Sequence, residues 1–309
     1  MKYDLISCGP FGQEFCDWVH KDYSQFVSCR YKENLQQSDL KGINAIAGFY
    51  QFDGLDLSSI RWIHGFGAGV DDYLRQPTTP TDLILTRTIG YMDQRIGEYC
   101  LTYILEDLKG VIRTFENQLK QQWIRRNLDV LYNKRVLLFG TGAIGLGIAN
   151  ILAPLVGEIT GVNRSGRVPS PLANVISFEE LPESSLKTYD IVINALPLTI
   201  ETLGYFDRQF FDRLNQALFI NVGRGKSVRE EDIIPAIEKG SLRQAVLDVF
   251  LDEPLSADSP LWKHSQVLVT PHFAGLTTLA DIQKSFRECV DAMKNGTTNH
   301  LFVNLEKGY

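Results

Sequence analysis

From Lys134 onward, short apolar runs recur at regular intervals: Val136–Phe139, Ile159–Val162, Ile191–Ala195, Leu218–Val222, Ala245–Val249 and Val267–Thr270. Helix-length stretches separate most of them. Strands buried on both faces read as unbroken Val/Ile/Leu runs rather than as alternation. The pattern therefore predicts an α/β fold with a doubly wound parallel sheet covered by helices. The first hundred residues give a smaller α/β unit, with strand candidates at Leu5–Cys8, Ile43–Gly48, Ile60–His64 and Leu83–Thr86, each bounded by Gly, Pro, Ser or Asp. Between the two lies a helical stretch from near Gln94 towards Arg126, with Gly110 as its break. It is too long for a simple crossover and reads as a domain link or the support of a dimer interface. A last helix, Leu279–Lys294, falls outside the alternation of the sheet and is expected to return to the first unit. A chain of 309 residues suits two domains. The expected division is 101–273 for the larger domain, and 1–100 completed by 274–309 for a smaller, discontinuous one.

The first of the regular runs opens onto Gly140-Thr141-Gly142-Ala143-Ile144-Gly145, which starts a helix expected over Ala143–Leu155. G-x-G-x-x-G alone is a weak signal, but strand, turn and helix in this order are what a dinucleotide-binding (Rossmann) turn requires. Gly140 permits the tight turn, Gly142 lets the backbone approach a pyrophosphate, and Gly145 lets the helix pack close to the strand. The helix start at Ala143 and Ile144 offers unpaired N–H groups and a positive dipole end to the phosphates. In NAD sites an acid about 20 residues further on accepts from the ribose hydroxyls. Here the second strand ends instead in Asn163-Arg164-Ser165-Gly166-Arg167. A carboxylate would repel the 2′-phosphate of NADP, whereas Arg164 meets it with a planar charged fork and Ser165 with a hydroxyl. NADP(H) is the favoured cofactor, with NAD possible; otherwise Arg164 and Arg167 are ordinary surface charges and Asn163 caps the strand.

Three further motifs stand at later strand ends or in the loops just after them, where ligands bind in doubly wound sheets. They are Asn221-Val222-Gly223-Arg224-Gly225, Leu247-Asp248-Val249-Phe250-Leu251-Asp252-Glu253-Pro254-Leu255 and Val269-Thr270-Pro271-His272-Phe273-Ala274-Gly275. Taken singly, Arg224 could cap a turn, Glu253 could be a solvated loop acid and His272 a satisfied buried histidine. Together with Gly67-Ala68-Gly69-Val70-Asp71, the glycine turn and Asn194-Ala195-Leu196-Pro197-Leu198-Thr199, they make a sequence that resembles the D-2-hydroxyacid dehydrogenases over almost its whole length. Within that family it is most similar to the glyoxylate/hydroxypyruvate reductases, on Gly67–Asp71, Ser259-Pro260-Leu261-Trp262 and the terminal Lys307-Gly308-Tyr309.

The resemblance implies a catalytic set of Arg224, Glu253 and His272. Reducing a 2-keto acid requires that the substrate carboxylate be held, the carbonyl polarised and a proton delivered to the forming alkoxide. Arg224 suits the first two, because its fork spans two oxygens and keeps its charge. His272 suits the third as general acid, and as base in reverse. An isolated imidazole is mostly neutral at pH 7, and an adjacent carboxylate favours the charged form, the role expected of Glu253. The resemblance further implies backbone N–H groups of Ala68 and Gly69 on the substrate carboxylate, Asp248 near the nicotinamide carboxamide, and Pro197 and Leu198 beside the cofactor. Phe49, Tyr50 and Phe66 are candidates for an apolar wall of the substrate pocket. His20, His64, His264 and His300 read as structural, and Tyr99, Tyr103, Phe115 and Trp123 as core or interface. A non-catalytic dinucleotide sensor similar to the C-terminal-binding-protein corepressors is the rival reading. Formate dehydrogenase, which lacks the acid partner of the histidine, is opposed by Glu253.

The rest of the sequence narrows the partners. A formal net charge of −6, from 31 basic and 37 acidic residues, argues against nucleic acid or an anionic membrane surface. There is no run of 18 or more apolar residues, so no membrane span is expected. The five cysteines, Cys8, Cys16, Cys29, Cys100 and Cys289, form no C-x-x-C pair. Reduced, mostly buried thiols in a cytoplasmic protein are the plain reading. A small 2-keto or 2-hydroxy acid is then the expected partner, and a homodimer the expected assembly on the strength of the resemblance and the long helix.

Overall fold

The computed structural model describes residues 2–49, 52–75, 80, 82–181 and 183–308. It divides into two compact units, residues 1–92 with 277–309, and residues 93–276. The chain crosses between them at Met92/Asp93 and at Leu276/Thr277.

The first unit holds β1 (Tyr3–Cys8), α1 (Gly12–Asp22), β2 (Val27–Lys32), β3 (Ala45–Gly48), β4 (Trp62–Gly65) and β5 (Ile84–Arg87). Its sheet has the order β2-β1-β3-β4-β5, with every pairing parallel. Consecutive residues serve opposite faces, as the pleat requires. Leu5 and Trp62 enter a cluster with Phe15 of α1, while Ile6 and Ile63 enter a second cluster with Leu40 and Phe52. Both faces are therefore covered, as a parallel sheet needs.

The second unit begins in α2 (Met92–Lys109), followed by α3 (Val111–Leu119). Gly110 separates them in a left-handed conformation (φ 58°), so the expected break is there. The helical stretch stops at Leu119 rather than near Arg126, and Gln121, at φ 54°, turns the chain away from a helical path. None of the α3 residues is buried, and Val111, Ile112, Phe115 and Leu119 are exposed.

Then come β6 (Arg135–Phe139), α4 (Ala143–Leu152), β7 (Glu158–Asn163), β8 (Asn174–Ser177), β9 (Ile191–Asn194), α5 (Arg208–Phe211), β10 (Ala217–Asn221), α6 (Ile233–Glu238), β11 (Leu242–Leu247) and β12 (Val267–Val269). The helix α4 ends at Leu152, short of Leu155, because Pro154 has no N–H to continue it. All seven strands are parallel in the order β12-β11-β10-β9-β6-β7-β8. Read from β8, this is the doubly wound order, with its direction reversing between β6 and β9. Phe139, Phe206, Phe210, Phe211 and Phe219 fill one face of the sheet.

The last helix, α7 (Leu279–Lys294), belongs to the first unit. Thr278 and Asp281 form its capping box, and Asp281 also accepts the Tyr91 N–H at 2.8 Å. Phe286 lies across Trp62, with ring centroids 5.2 Å apart.

One expectation is overturned. Cys16 of α1 and Cys29 of β2 are joined as a disulfide, their Cα atoms 5.3 Å apart, whereas Cys8, Cys100 and Cys289 are free and buried. Packing of α1 on β2 brings the two side chains within bridging range, a proximity that a spacing of 13 residues does not announce.

Candidate active site

The register of the larger sheet aligns every motif of the second unit. Val269, Leu247, Asn221, Asn194, Phe139 and Val162 are partnered in one row across β12, β11, β10, β9, β6 and β7. Asp248, Ala195, Gly140 and Asn163 each follow this row by one residue, and Arg224 and His272 by three. The sheet thus delivers these groups to a single edge, the carboxyl ends of its strands.

The glycine turn meets its steric requirements. Gly140 has φ 92°, and a Cβ there would lie 2.7 Å from the Ala195 carbonyl oxygen. A methyl on Gly145 would run into the Gly140 carbonyl. Gly142, the N-cap of α4, is different, since a Cβ there would meet nothing within 4 Å. The turn is closed towards the sheet and open where Ala143 and Ile144 begin the helix. Open space over a helix N-terminus suits a phosphate-bearing ligand.

At the end of β7, the Asn163 amide is engaged within its own loop. Its Nδ2 donates to Thr141 Oγ1 at 2.7 Å and to the Arg167 carbonyl at 2.9 Å, and its Oδ1 accepts from Ser165 N at 3.0 Å. Asn163 therefore ties the β7 loop to the glycine turn. Arg164 is exposed, with Glu201 as a loose partner at 3.9 Å, a pair that contributes little in solvent. Pro197 and Leu198 are half-buried after β9, and the Pro197 carbonyl accepts the Thr202 hydroxyl at 2.7 Å.

A buried network that the motifs did not announce lies beneath Arg224. Asn194 Nδ2 donates to Asn221 Oδ1 at 2.9 Å and to Ser227 Oγ at 2.7 Å, and Ser227 Oγ donates to the Arg224 carbonyl at 2.6 Å. All three side chains are buried, and satisfied buried networks of this kind hold a single geometry. The half-buried Arg224 donates from Nη1 to the Gly223 carbonyl at 2.8 Å.

Glu253 and His272 meet directly. His272 Nδ1 is 2.7 Å from Glu253 Oε2, while Glu253 Oε1 accepts the Phe250 N–H at 3.0 Å. With a carboxylate on Nδ1, that nitrogen carries the proton, and Nε2 is left for exchange with a ligand. The loop bearing Glu253 is also held by Glu230, whose carboxylate accepts the Leu251 N–H; burial pushes the Glu230 carboxyl up. His272 sits in a left-handed conformation, φ 51°. Asp248, almost fully buried, clamps the segment around it. Its Oδ1 accepts from Thr270 Oγ1 at 2.6 Å and Phe273 N at 3.1 Å, its Oδ2 from Ala274 N at 3.0 Å, and its carbonyl from His272 N at 2.9 Å.

In the first unit, Ala68 and Gly69 lie half-buried in the loop after β4, which Thr88 N secures at the Gly67 carbonyl, 3.1 Å away. Phe49 is half-buried, with its ring edge-on to Phe66. Phe66 itself is fully buried among Phe15 and Trp62 and serves the core rather than a pocket wall. Tyr50 lies outside the described residues. Among the described residues, no cluster of His, Cys, Asp or Glu could hold a metal ion, and no helix is long and apolar enough to cross a membrane.

Comparison with known proteins agrees with this geometry. The sequence profile of the D-isomer specific 2-hydroxyacid dehydrogenase NAD binding domain matches residues 101–274. The glyoxylate/hydroxypyruvate reductase A of Serratia proteamaculans is 31% identical over 259 residues, covering 81% of this chain and 82% of its own. A D-isomer specific 2-hydroxyacid dehydrogenase from Xanthobacter autotrophicus, solved with NADPH, superposes with a TM-score of 0.88 at 26% identity over the full length of both chains. An NADPH-dependent glyoxylate/hydroxypyruvate reductase from Sinorhizobium meliloti, solved with NADP and sulfate, does so at 0.85 and 25%, again over the full length of both.

Proposed function

The chain belongs to the D-isomer specific 2-hydroxyacid dehydrogenase family of NAD(P)-dependent oxidoreductases, and from that premise we propose that it reduces a small 2-keto acid such as glyoxylate or hydroxypyruvate with NADPH, giving the D-2-hydroxy acid. The observation that carries the reading is the His272–Glu253 pair, 2.7 Å apart at the same sheet edge as a dinucleotide-type turn.

A nicotinamide dinucleotide bound at the open N-terminus of α4 supplies the hydride. The residues that would hold it are Gly140, Gly142, Ala143, Ile144 and Gly145 at the pyrophosphate, Arg164 and Ser165 at a 2′-phosphate, and Pro197, Leu198 and Asp248 elsewhere along it. Asn163 contributes by fixing the loop that carries Arg164. Arg224 grips the substrate carboxylate and polarises its carbonyl. His272 delivers its Nε2 proton to the oxygen that becomes the alcohol, and Glu253 holds the imidazole in the tautomer and orientation this needs.

NADPH is favoured over NADH because no carboxylate stands at the end of β7 where a ribose-binding acid would, and because the two solved relatives above carry NADP or NADPH. The expected result is a higher kcat/KM with NADPH, narrowed roughly ten- to a hundredfold in Arg164→Ala by loss of one charge-assisted contact. Equal use of NADH by the unmodified protein would overturn the preference. Turnover of NADPH with glyoxylate also separates this reading from a non-catalytic dinucleotide sensor of the same fold. A second copy of the chain is the proposed partner, supported by the exposed apolar stripe of α3. Sedimentation of Leu119→Lys beside the parent protein tests it, with dissociation expected.

A further inference from the structure

We propose that Tyr99 is a positioning residue for this reaction, acting through Thr270 and Asp248 on the segment that carries His272. The proposal rests on the reductase reading above. Tyr99 lies on α2, is 7% exposed, and approaches the segment at two points on either side of His272. Its hydroxyl is 2.7 Å from Thr270 Oγ1, and its ring stands edge-on to Phe273 with centroids 6.0 Å apart.

The direction of this chain of hydrogen bonds follows from counting protons. Thr270 has one hydroxyl proton, and the carboxylate of Asp248 takes it at 2.6 Å. The Tyr99–Thr270 contact therefore has Tyr99 as its donor. Burial pushes the Tyr99 phenol up, so it stays protonated at any working pH. Tyr99, Thr270 and Asp248 thus form a one-way chain ending on a buried charge, an arrangement in which each bond strengthens the next. Asp248 also accepts from Phe273 N and Ala274 N, so both flanks of His272 depend on it.

That dependence has a local cause. A histidine at φ 51° is in the left-handed backbone region that few residues other than glycine adopt, although histidine enters it more readily than most. Such a conformation persists only where the surroundings over-determine it. Relaxation there would rotate the imidazole away from Glu253, weakening the bond that fixes its tautomer. The ionisable groups facing the chain are Asp248, Tyr103 and Cys100 around the phenol, Glu253 on the imidazole, and Glu230 beside Glu253. No cation among these replaces the lost donor when the phenol is removed.

The test compares Tyr99→Phe, Thr270→Val and Thr270→Ser with the parent chain. Steady-state glyoxylate reduction with NADPH gives kcat and both KM values. ¹⁵N NMR of histidine-labelled protein, at a pH where the ring is neutral, reports which ring nitrogen of His272 carries the proton, with His272→Asn assigning the signal. Tyr99→Phe is expected to lower kcat roughly three- to tenfold, the worth of one buried hydrogen bond, with both KM values within about twofold. The nitrogen signals are expected to move from Nδ1-protonated towards a mixture of tautomers. Thr270→Val should reproduce both effects, and Thr270→Ser, which keeps the hydroxyl, should restore them. A melting temperature that falls while kcat or the tautomer stays at the parent value would make Tyr99 merely structural and overturn the assignment. Should the parent chain turn over no 2-keto acid, the reductase reading fails, and the tautomer measurement alone then decides the role of Tyr99.

Discussion

His64 and His272 mark the two units with the same side chain in opposite settings. His64, inside β4, is fully buried, and its ring nitrogens meet only hydroxyls: Thr86 Oγ1 at 2.9 Å and Thr88 Oγ1 at 3.4 Å. Burial drives its pKa down to about 3. His272, three residues past the aligned row of the larger sheet, is half-exposed and bonded to a carboxylate. A hydroxyl can satisfy a neutral imidazole but cannot compensate a charged one, whereas a carboxylate can. The first site excludes the charged form; the second sets the imidazole against a carboxylate near the surface. Partner and access to water separate the two histidines, one fixed in the core and the other open to the acid/base role proposed for it.

The largest effect that could break this contrast is on turnover. His272→Ala is expected to lower kcat by a factor of about 10²–10⁴, the usual worth of general acid catalysis, while His64→Gln leaves kcat within about twofold. Comparable losses in both variants, measured by NADPH oxidation, would erase the distinction. Next, Arg224→Ala should cut kcat/KM by about 10²–10³, as loss of a preorganised donor does, with NADPH affinity by fluorescence titration unchanged. A collapse of nucleotide binding would instead place Arg224 on the cofactor.

The remaining two expectations concern the stability of the first unit, which holds four of the five cysteines (Cys8, Cys16, Cys29 and Cys289). Without reductant, thiol titration in denaturant should count three reactive groups, and after reduction five. Closing a loop of this length contributes about 3 kcal/mol, so reduction should lower the urea midpoint of this unit. Burial drives the Cys8 and Cys289 thiols up to about 12, so neither should react in the native protein. Five reactive thiols without reductant would restore the all-thiol expectation. For His64, the unfolded chain takes up a proton below about pH 6.5, the folded chain only near pH 3. Stability is therefore lost as pH falls through this window, by about 2 kcal/mol between pH 6.5 and 5. His64→Gln should flatten that slope in denaturant titrations; an unchanged slope would mean other groups carry it.

How far the sequence foretold all this depended on burial. The strands sought as apolar runs were found at every position of the larger sheet except β8, and at every position of the smaller sheet except β2. The two that escaped, β2 and β8, are both edge strands. Arg30 and Lys32 interrupt the first, and none of the residues of the second is fully buried. Edge position alone does not account for this, since β5 and β12 are edge strands too; what hides β2 and β8 is the polar or half-exposed character of their residues. At the candidate site, Arg224, Glu253 and His272 could be singled out because each sits in its own local motif. The Asn194–Asn221–Ser227 network and the Tyr99–Thr270 bond were not, since they join residues 27 to 171 positions apart. Tyr99 was read as core or interface; it is buried, but its hydroxyl has a partner that no periodicity reveals. The Cys16–Cys29 pair was missed for the same reason.

The left-handed backbone at His272 has one further consequence. Asparagine tolerates that conformation better than histidine does, so His272→Asn would relieve local strain while removing the proposed proton donor. A variant selected for heat resistance alone would then be drawn towards an inert protein, and the position would rank as a flaw in any screen blind to turnover. With the proton-donor role proposed above, thermal tolerance and catalysis would pull in opposite directions at this residue, and a stabilisation campaign on this chain would have to hold it fixed.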